Sequence, residues 1–159
     1  MDFRVGTGFD AHRFAEGRPL ILGGITIPHS KGLLGHSDAD ALCHAVSDAV
    51  LGAAALGDMG HYFPDKDPKW KGADSLEMLK ECVRLASSKG WKVGNLDATL
   101  VCQNPKLASF LPSMAQKLAK TLGVDVEKVS VKAKTTEGMG FEGREEGISA
   151  QAVVLLTKN

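Results

Sequence analysis

The sequence has little that would mark it for an oxidising compartment, a membrane or a polyanion. Its three cysteines, Cys43, Cys82 and Cys102, are far apart, form no C-x-x-C pair and lie in apolar segments. Such usage fits buried free thiols in a reducing compartment better than a disulfide framework. No apolar run approaches the ~20 residues that a bilayer-crossing helix needs. The N-terminus passes straight into a strand-like pattern, so neither a signal peptide nor a transit peptide is expected, and the expected location is the cytoplasm. Charge of one sign is also lacking, because 19 basic and 19 acidic side chains cancel. A nucleic-acid binder would tilt basic, so any phosphate recognition here must be local. No segment matches a G-x-x-x-x-G-K-[ST] loop, or a G-x-G-x-x-G fingerprint in the right context. A nucleotide-hydrolysing motor and a Rossmann dehydrogenase are thereby excluded.

What is present suits one domain spanning residues 1–159. Hydrophobic residues make up 43 % and charged residues 24 %, enough to bury one continuous core. Phe3, Val5 and Thr7 alternate with Arg4, Gly6 and Gly8, the period of a strand. Leu20–Leu22 and Ile25–Ile27 flank Gly23-Gly24 as a hairpin. Ser37 or Asp38 can cap a helix that runs to about Leu56 and stops at Gly57. Its apolar face (Ala41, Leu42, Ala45, Val46, Ala49, Val50, Ala53) is made of small side chains, which allow close packing. Residues 57–73 read as an irregular loop, long enough to suggest function. Asp74 and Glu77 open a second helix that ends near Gly90. A strand over 96–102 follows, then a third helix from Pro112 to Gly123. Val129, Val131 and Ala133 form another strand, 135–147 a glycine-rich charged loop, and 148–156 a final buried strand. The order predicts an α/β (α+β layered) fold with a mixed sheet packed on helices.

The chemistry-bearing residues cluster. Asp10 and His12 are two apart and face one side of an extended segment. His36, Ser37, Asp38, Asp40, His44 and Asp48 lie at and along the first helix, with Asp40, His44 and Asp48 stacked on one face. Asp10, His12 and His44 would form a three-ligand site of nitrogen and oxygen with a fourth position open, as in a catalytic zinc centre. Asp40 and Asp48 could orient those ligands. Spacing alone leaves a second reading open, in which the helical acids are a solvated face.

Other positions are weaker. His29 and His61 read as solvated loop histidines, Trp70 and Trp91 as packing residues. Asp58-Met59-Gly60 and Phe63-Pro64-Asp65-Lys66-Asp67 could bind a polyol, or be an ordinary charged loop. Gln103-Asn104-Pro105-Lys106 closes a strand, a common place for ligand contacts in such folds. Hydroxyls and N–H groups over 132–138 could hold phosphate oxygens, and Glu137 a hard cation. Phe141, Arg144 and Glu146 follow in a turn.

Taken in order, these segments resemble one family. Gly8-Phe9-Asp10-Ala11-His12, Leu34-Gly35-His36-Ser37-Asp38-Ala39-Asp40, residues 51–58, Phe63-Pro64-Asp65, residues 132–137 and Gly140-Phe141-Glu142-Gly143-Arg144 are similar to successive signatures of the 2-C-methyl-D-erythritol 2,4-cyclodiphosphate synthase family of the non-mevalonate isoprenoid route. The resemblance spans nearly the whole chain. It implies a homotrimer with active sites between subunits, a cytidine diphosphate substrate and release of CMP. It implies Zn²⁺ on Asp10, His12 and His44, and Mg²⁺ or Mn²⁺ on Glu137. His36 and Thr135 match the positions that hold the transferring phosphoryl group. Asp10, His12, His36 and Ser37 border the substrate, and Asp58, Met59, Gly60, Phe63, Pro64, Asp65, Lys66 and Asp67 match the erythritol-binding stretch. Cys102, Gln103, Asn104, Pro105, Lys106, Leu107 and Ala108 match the cytidine pocket, and Lys134, Thr135, Thr136 and Glu137 the phosphate contacts. Phe141, Arg144 and Glu146 match residues near a cavity on the trimer axis, where an isoprenoid diphosphate would fit. Ala39 stands where the family often has glycine, and Lys134 where threonine can occur. The alternatives to cyclisation are a metal-dependent phosphohydrolase and a non-catalytic trimer that binds prenyl diphosphates.

Overall fold

A computed structural model describes residues 2–158. In chain order the elements are β1 (Phe3–Ala15), β2 (Leu20–Leu22), β3 (Ile25–Ile27), β4 (Gly32–Leu33), α1 (Ala41–Ala53), α2 (Met59–Tyr62), α3 (Ser75–Ser88), β5 (Lys92–Val101), α4 (Leu111–Leu122), β6 (Val129–Lys134), α5 (Gly140–Gly143) and β7 (Gly147–Thr157). Five strands form one mixed sheet in the order β4-β1-β7-β5-β6, and β2 with β3 forms a separate hairpin. Within the large sheet β5 and β6 are parallel, while the β1–β4, β1–β7 and β5–β7 pairs are antiparallel.

The residue pattern explains the layers. Alternation along a strand sends every second side chain to one face. Leu96, Ala98 and Leu100 of β5 and Ala150, Ala152 and Val154 of β7 are buried under the helices, against Leu42, Val46 and Val50 of α1. Gly6 and Gly8 of β1 point the same way. A Cβ on Gly8 would fall 1.8 Å from the Ala45 carbonyl oxygen, so only glycine lets α1 lie this close. The opposite face of the sheet carries Phe3, Val5, Phe9 and Val153, which are 67, 60, 57 and 44 % exposed.

Several boundaries differ from the sequence expectation. β1 continues through Ala15, so Asp10 and His12 sit within the strand, where β7 pairs with them. α1 is capped by Asp40, not by Ser37 or Asp38, and ends at Ala53. Asp40 wins because its carboxylate also reaches back to the hairpin, a long-range contact that local propensity does not encode. The 57–73 stretch contains α2 and a 3-10 turn at Pro68–Trp70, and the 135–147 stretch contains α5. The three cysteines are buried and unpaired. No helix among the described residues is long and apolar enough to cross a membrane.

Candidate functional site

Asp10 and His12 face α1 from β1, and His44 faces them from the first turn of α1. Asp10 Oδ2 lies 2.9 Å from both His12 Nε2 and His44 Nδ1, and the two nitrogens are 3.2 Å apart. Around a tetrahedral zinc with bonds of about 2.0–2.1 Å, ligand atoms stand about 3.3 Å apart. The three donor atoms therefore have about the spacing that three ligands of such a site would need, and all three residues line the cleft.

Proton positions sharpen the point. His12 Nδ1 is 2.8 Å from the Leu34 carbonyl oxygen, which can only accept. In the neutral ring Nδ1 therefore carries the hydrogen and Nε2 is bare. His44 Nε2 faces hydroxyls, Ser75 Oγ at 2.9 Å and Ser37 Oγ at 3.2 Å, which leaves Nδ1 bare when Nε2 donates. Two imidazole lone pairs and a carboxylate oxygen then converge, and they repel one another unless a cation lies between them. Burial alone would raise the Asp10 carboxyl pKa, but hydrogen bonds and charge from His12 and His44 outweigh it and hold the group well below its usual range. Burial alone would lower the His12 pKa, but Asp10 outweighs it and pushes the imidazole up. The negative charge of Asp10 that favours a proton at this point also attracts a cation. The donor set, two imidazoles and a carboxylate, is one that zinc takes.

The triad forms one wall of a cleft of about 250 Å³ that is also lined by His36, Ser37, Asp48, Met59, Gly60, Phe63, Asp65, Trp70 and Met78. His36 Nε2 lies 3.1 Å from the Asp67 carbonyl oxygen. Arg18 holds the backbone on either side of His36, donating to Gly35 O at 2.9 Å and Ser37 O at 2.7 Å. Phe63 is buried and packs edge-on against Trp70, with centroids 4.8 Å apart. Trp70 is thus a packing residue, as expected, and a cleft residue as well. Asp58 caps α2 by accepting from His61 N–H, and Asp67 caps the turn at Pro68–Trp70. Asp58, Pro64, Lys66 and Asp67 do not line the cleft within this protomer.

The expectation that Asp40 orients the ligands is corrected. Asp40 is fully buried, and its oxygens accept from Gly23 N–H (2.9 Å), Gly24 N–H (2.7 Å) and Cys43 N–H (3.0 Å). It ties the β2–β3 turn to the start of α1, and every hydrogen bond that its carboxylate accepts comes from a backbone N–H. Asp48 borders the cleft, and its hydrogen bond goes to Met59 N–H at 2.8 Å. Ala39 has φ 58° and is fully buried. This left-handed conformation favours glycine over alanine.

A second group gathers at the ends of β5 and β6. Cys102 N–H donates to Lys134 O at 2.9 Å, and Gly138 N–H to Gln103 Oε1 at 3.3 Å. Asn104 Nδ2 donates to Glu145 Oε1 at 2.6 Å, and Lys106 Nζ to Gln103 O at 3.4 Å. Thr135 Oγ1 donates to Glu137 Oε1 at 3.3 Å. The Thr136 hydroxyl bonds the Met139 carbonyl. Leu107 is buried in the core, while Lys106, Ala108 and Lys134 are exposed. Phe141 and Glu146 line a recess of about 230 Å³ with Ala11 and Arg13, and Arg144 pairs with Glu146 at 3.0 Å. The structure brings residues 102–108 and 134–138 together, but none of them lines the metal cleft. Strand β7 lies between β1 and β5, with β6 beyond. At about 4.8 Å per strand, β1 stands about 10 Å from β5 and about 14 Å from β6.

Sequence reasoning missed Ser75, Arg18 and Met78. None of the three carried a local signal of a role at the site. His29 and His61 are exposed, as expected.

A mixed-sheet α/β domain with an Asp-His-His cluster at a cleft defines a class, α/β proteins with a candidate metal site. Comparison narrows the class. The YgbB family model matches residues 3–157. The 2-C-methyl-D-erythritol 2,4-cyclodiphosphate synthase of Ralstonia pickettii (strain 12J) is 59 % identical over 98 % of this chain and 93 % of its own. The enzyme of that name from Bacillus mycoides (strain KBAB4) is 55 % identical over 98 % of this chain and 99 % of its own. Among solved structures, the bifunctional IspDF of Campylobacter jejuni superposes with a TM-score of 0.96 at 43 % identity, over 99 % of this chain and 43 % of that longer one. A CDP-bound 2C-methyl-D-erythritol-2,4-cyclodiphosphate synthase gives 0.89 at 40 % identity, over 97 % of this chain and 100 % of that one. The chain belongs to the YgbB family.

Proposed function

We propose that the protein converts 4-diphosphocytidyl-2-C-methyl-D-erythritol 2-phosphate to 2-C-methyl-D-erythritol 2,4-cyclodiphosphate and CMP in the non-mevalonate isoprenoid route. The observation that carries this reading is the meeting of Asp10, His12 and His44 at one point of a cleft, in a chain of this family. In the reaction an oxygen of the 2-phosphate bonds to the β-phosphorus. The bond from that phosphorus to the bridging oxygen breaks, and CMP leaves with the oxygen and its electron pair. The nucleophile is already an anion, so no strong base is needed.

The chain's task is to fold a flexible polyanion onto itself, and such positioning contributes up to ~7–11 kcal/mol in favourable intramolecular cases. Zinc at the triad and Mg²⁺ or Mn²⁺ at Glu137 supply the positive charge that this neutral chain lacks. His36 and Thr135 position the phosphoryl group. Residues 58–60 and 63–67 hold the erythritol hydroxyls, and residues 102–108 hold the cytidine, with Lys106 toward a phosphate. Met59, Gly60, Phe63 and Asp65 line the cleft at the triad, whereas residues 102–108 follow β5 and do not reach it, so a neighbouring copy completes each site. The open apolar face formed by Phe3, Val5, Phe9 and Val153 is the surface for that neighbour in a homotrimer. Phe141 and Arg144 then lie near its axis, where an isoprenoid diphosphate is the candidate ligand. The buried unpaired cysteines support a cytoplasmic location.

³¹P NMR of the purified protein with this substrate, Zn²⁺ and Mg²⁺ tests the reading. A cyclic diphosphate with CMP is the expected outcome. Linear phosphates would make it a phosphohydrolase, and binding without turnover in a folded, metal-loaded sample a non-catalytic module.

A further inference from the structure

Ser75 is the first residue of α3, an element that contributes none of the three ligands, and it is fully buried. Its hydroxyl lies 2.9 Å from His44 Nε2 and also meets Asp38 Oδ1, while its N–H donates to Asp38 Oδ2 at 3.1 Å. Asp38 Oδ1 accepts a further N–H from Asp40 at 3.1 Å. Both oxygens of Asp38 thus face donors, as an ionised carboxylate requires, and such a group only accepts. The Ser75 hydroxyl must therefore donate to Asp38, which turns its lone pairs toward His44. The hydrogen of His44 is then fixed on Nε2, and Nδ1 is presented bare to Asp10 and His12. Ser37 is also near His44, but its hydroxyl accepts from Ala39 N–H at 3.2 Å and has no carboxylate to fix its hydrogen.

We propose that Ser75, oriented by Asp38, is a positioning residue for the metal centre. It sets the His44 tautomer and couples the start of α3 to metal binding. This inference rests on the reading of Asp10, His12 and His44 as a zinc site. Partners that orient a ligating histidine typically change metal affinity by about 10–100-fold.

The test uses the full chain, with Zn²⁺ affinity measured by chelator competition and the visible absorption of the Co²⁺-substituted protein. Ser75→Ala is expected to weaken Zn²⁺ binding by about 10-fold or more and to alter the Co²⁺ spectrum. Ser75→Thr keeps the hydroxyl and is expected to restore both. Leu79→Ala, a core change on the same helix, is expected to lower thermal stability while leaving affinity and spectrum as they were. Should Ser75→Ala not fold, histidine ¹H–¹⁵N spectra of the unsubstituted metal-free protein decide the matter, with an exchange-protected hydrogen expected on His44 Nε2. Wild-type affinity and spectrum in Ser75→Ala, or a hydrogen on His44 Nδ1, would overturn the role of Ser75 alone. An unsubstituted protein that takes up neither Zn²⁺ nor Co²⁺ would overturn the zinc reading itself, and this inference with it.

Discussion

Gly8 of β1 and Ala45 of α1 are in backbone contact, with the site of a Gly8 Cβ only 1.8 Å from the Ala45 carbonyl oxygen. Two residues beyond Gly8 on the same face comes Asp10, and one residue before Ala45 comes His44. The closeness of strand and helix is therefore what sets the 2.9 Å separation of Asp10 from His44.

Gly8→Ala should break that relationship. Overpacking costs about 1–3 kcal/mol, and backbone atoms cannot rotate away, so the upper end applies. Urea unfolding should show a loss of about 3 kcal/mol, and zinc content should fall because α1 is lifted from β1. Unchanged stability with full zinc content would contradict the close approach.

Asp40→Asn separates the structural acid from the ligands. Asparagine offers one acceptor oxygen where the carboxylate serves three N–H groups, so at least one buried donor loses its partner. A loss of about 2 kcal/mol is expected in denaturant melts, with zinc stoichiometry retained in the folded fraction. Loss of zinc without loss of stability would return Asp40 to the role of ligand orienter.

The metal-free and zinc-loaded proteins should respond oppositely to pH. The Asp10–His12 pair raises the imidazole pKa above 6.5 and lowers the carboxyl pKa below 3.8. The carboxyl contribution to stability is present above 3.8 and lost as pH falls through its lowered value. The imidazole contribution is full below 6.5 and lost as pH rises through its raised value. Zinc requires the bare ring, so its affinity grows with pH across the same window. Relative to His12→Ala, the metal-free protein should lose thermal stability as pH rises above 6.5 and through the raised imidazole value, while stabilisation by zinc should increase. The same sign in both preparations would contradict the assignment.

Phe9→Asp places a charge on the open sheet face, far from the triad side. Sedimentation should show a smaller species, turnover should fall to background, and zinc should stay bound because its three ligands belong to one protomer. An intact trimer carrying this change would remove the sheet face from the interface.

Much of this was legible in local pattern. The alternation around Asp10 and His12 announced a shared face, and the small residues of α1 announced close packing. The capping role of Asp40 was not legible, because its partners Gly23 and Gly24 are 16–17 residues away. Nor was Ser75, since a serine at a helix start usually signals a cap and only the sheet-and-helix layering brings it to His44. The separation of 102–108 and 134–138 from the metal cleft depends on strand order, with β7, the last strand in sequence, inserted between β1 and β5. Hydrophobic periodicity specifies faces, not neighbours.

The central claim is that metal ligands from one subunit work with Thr135 and Glu137 of the next. Mixed trimers of His12→Ala and Glu137→Gln chains, each inactive alone, test it directly. In random assembly from equal amounts, mixed trimers each contain one intact site of three, so the sample should regain about one quarter of wild-type cyclisation. If activity stays at background although mixed trimers are recovered, each site lies within a single chain and the account is contradicted.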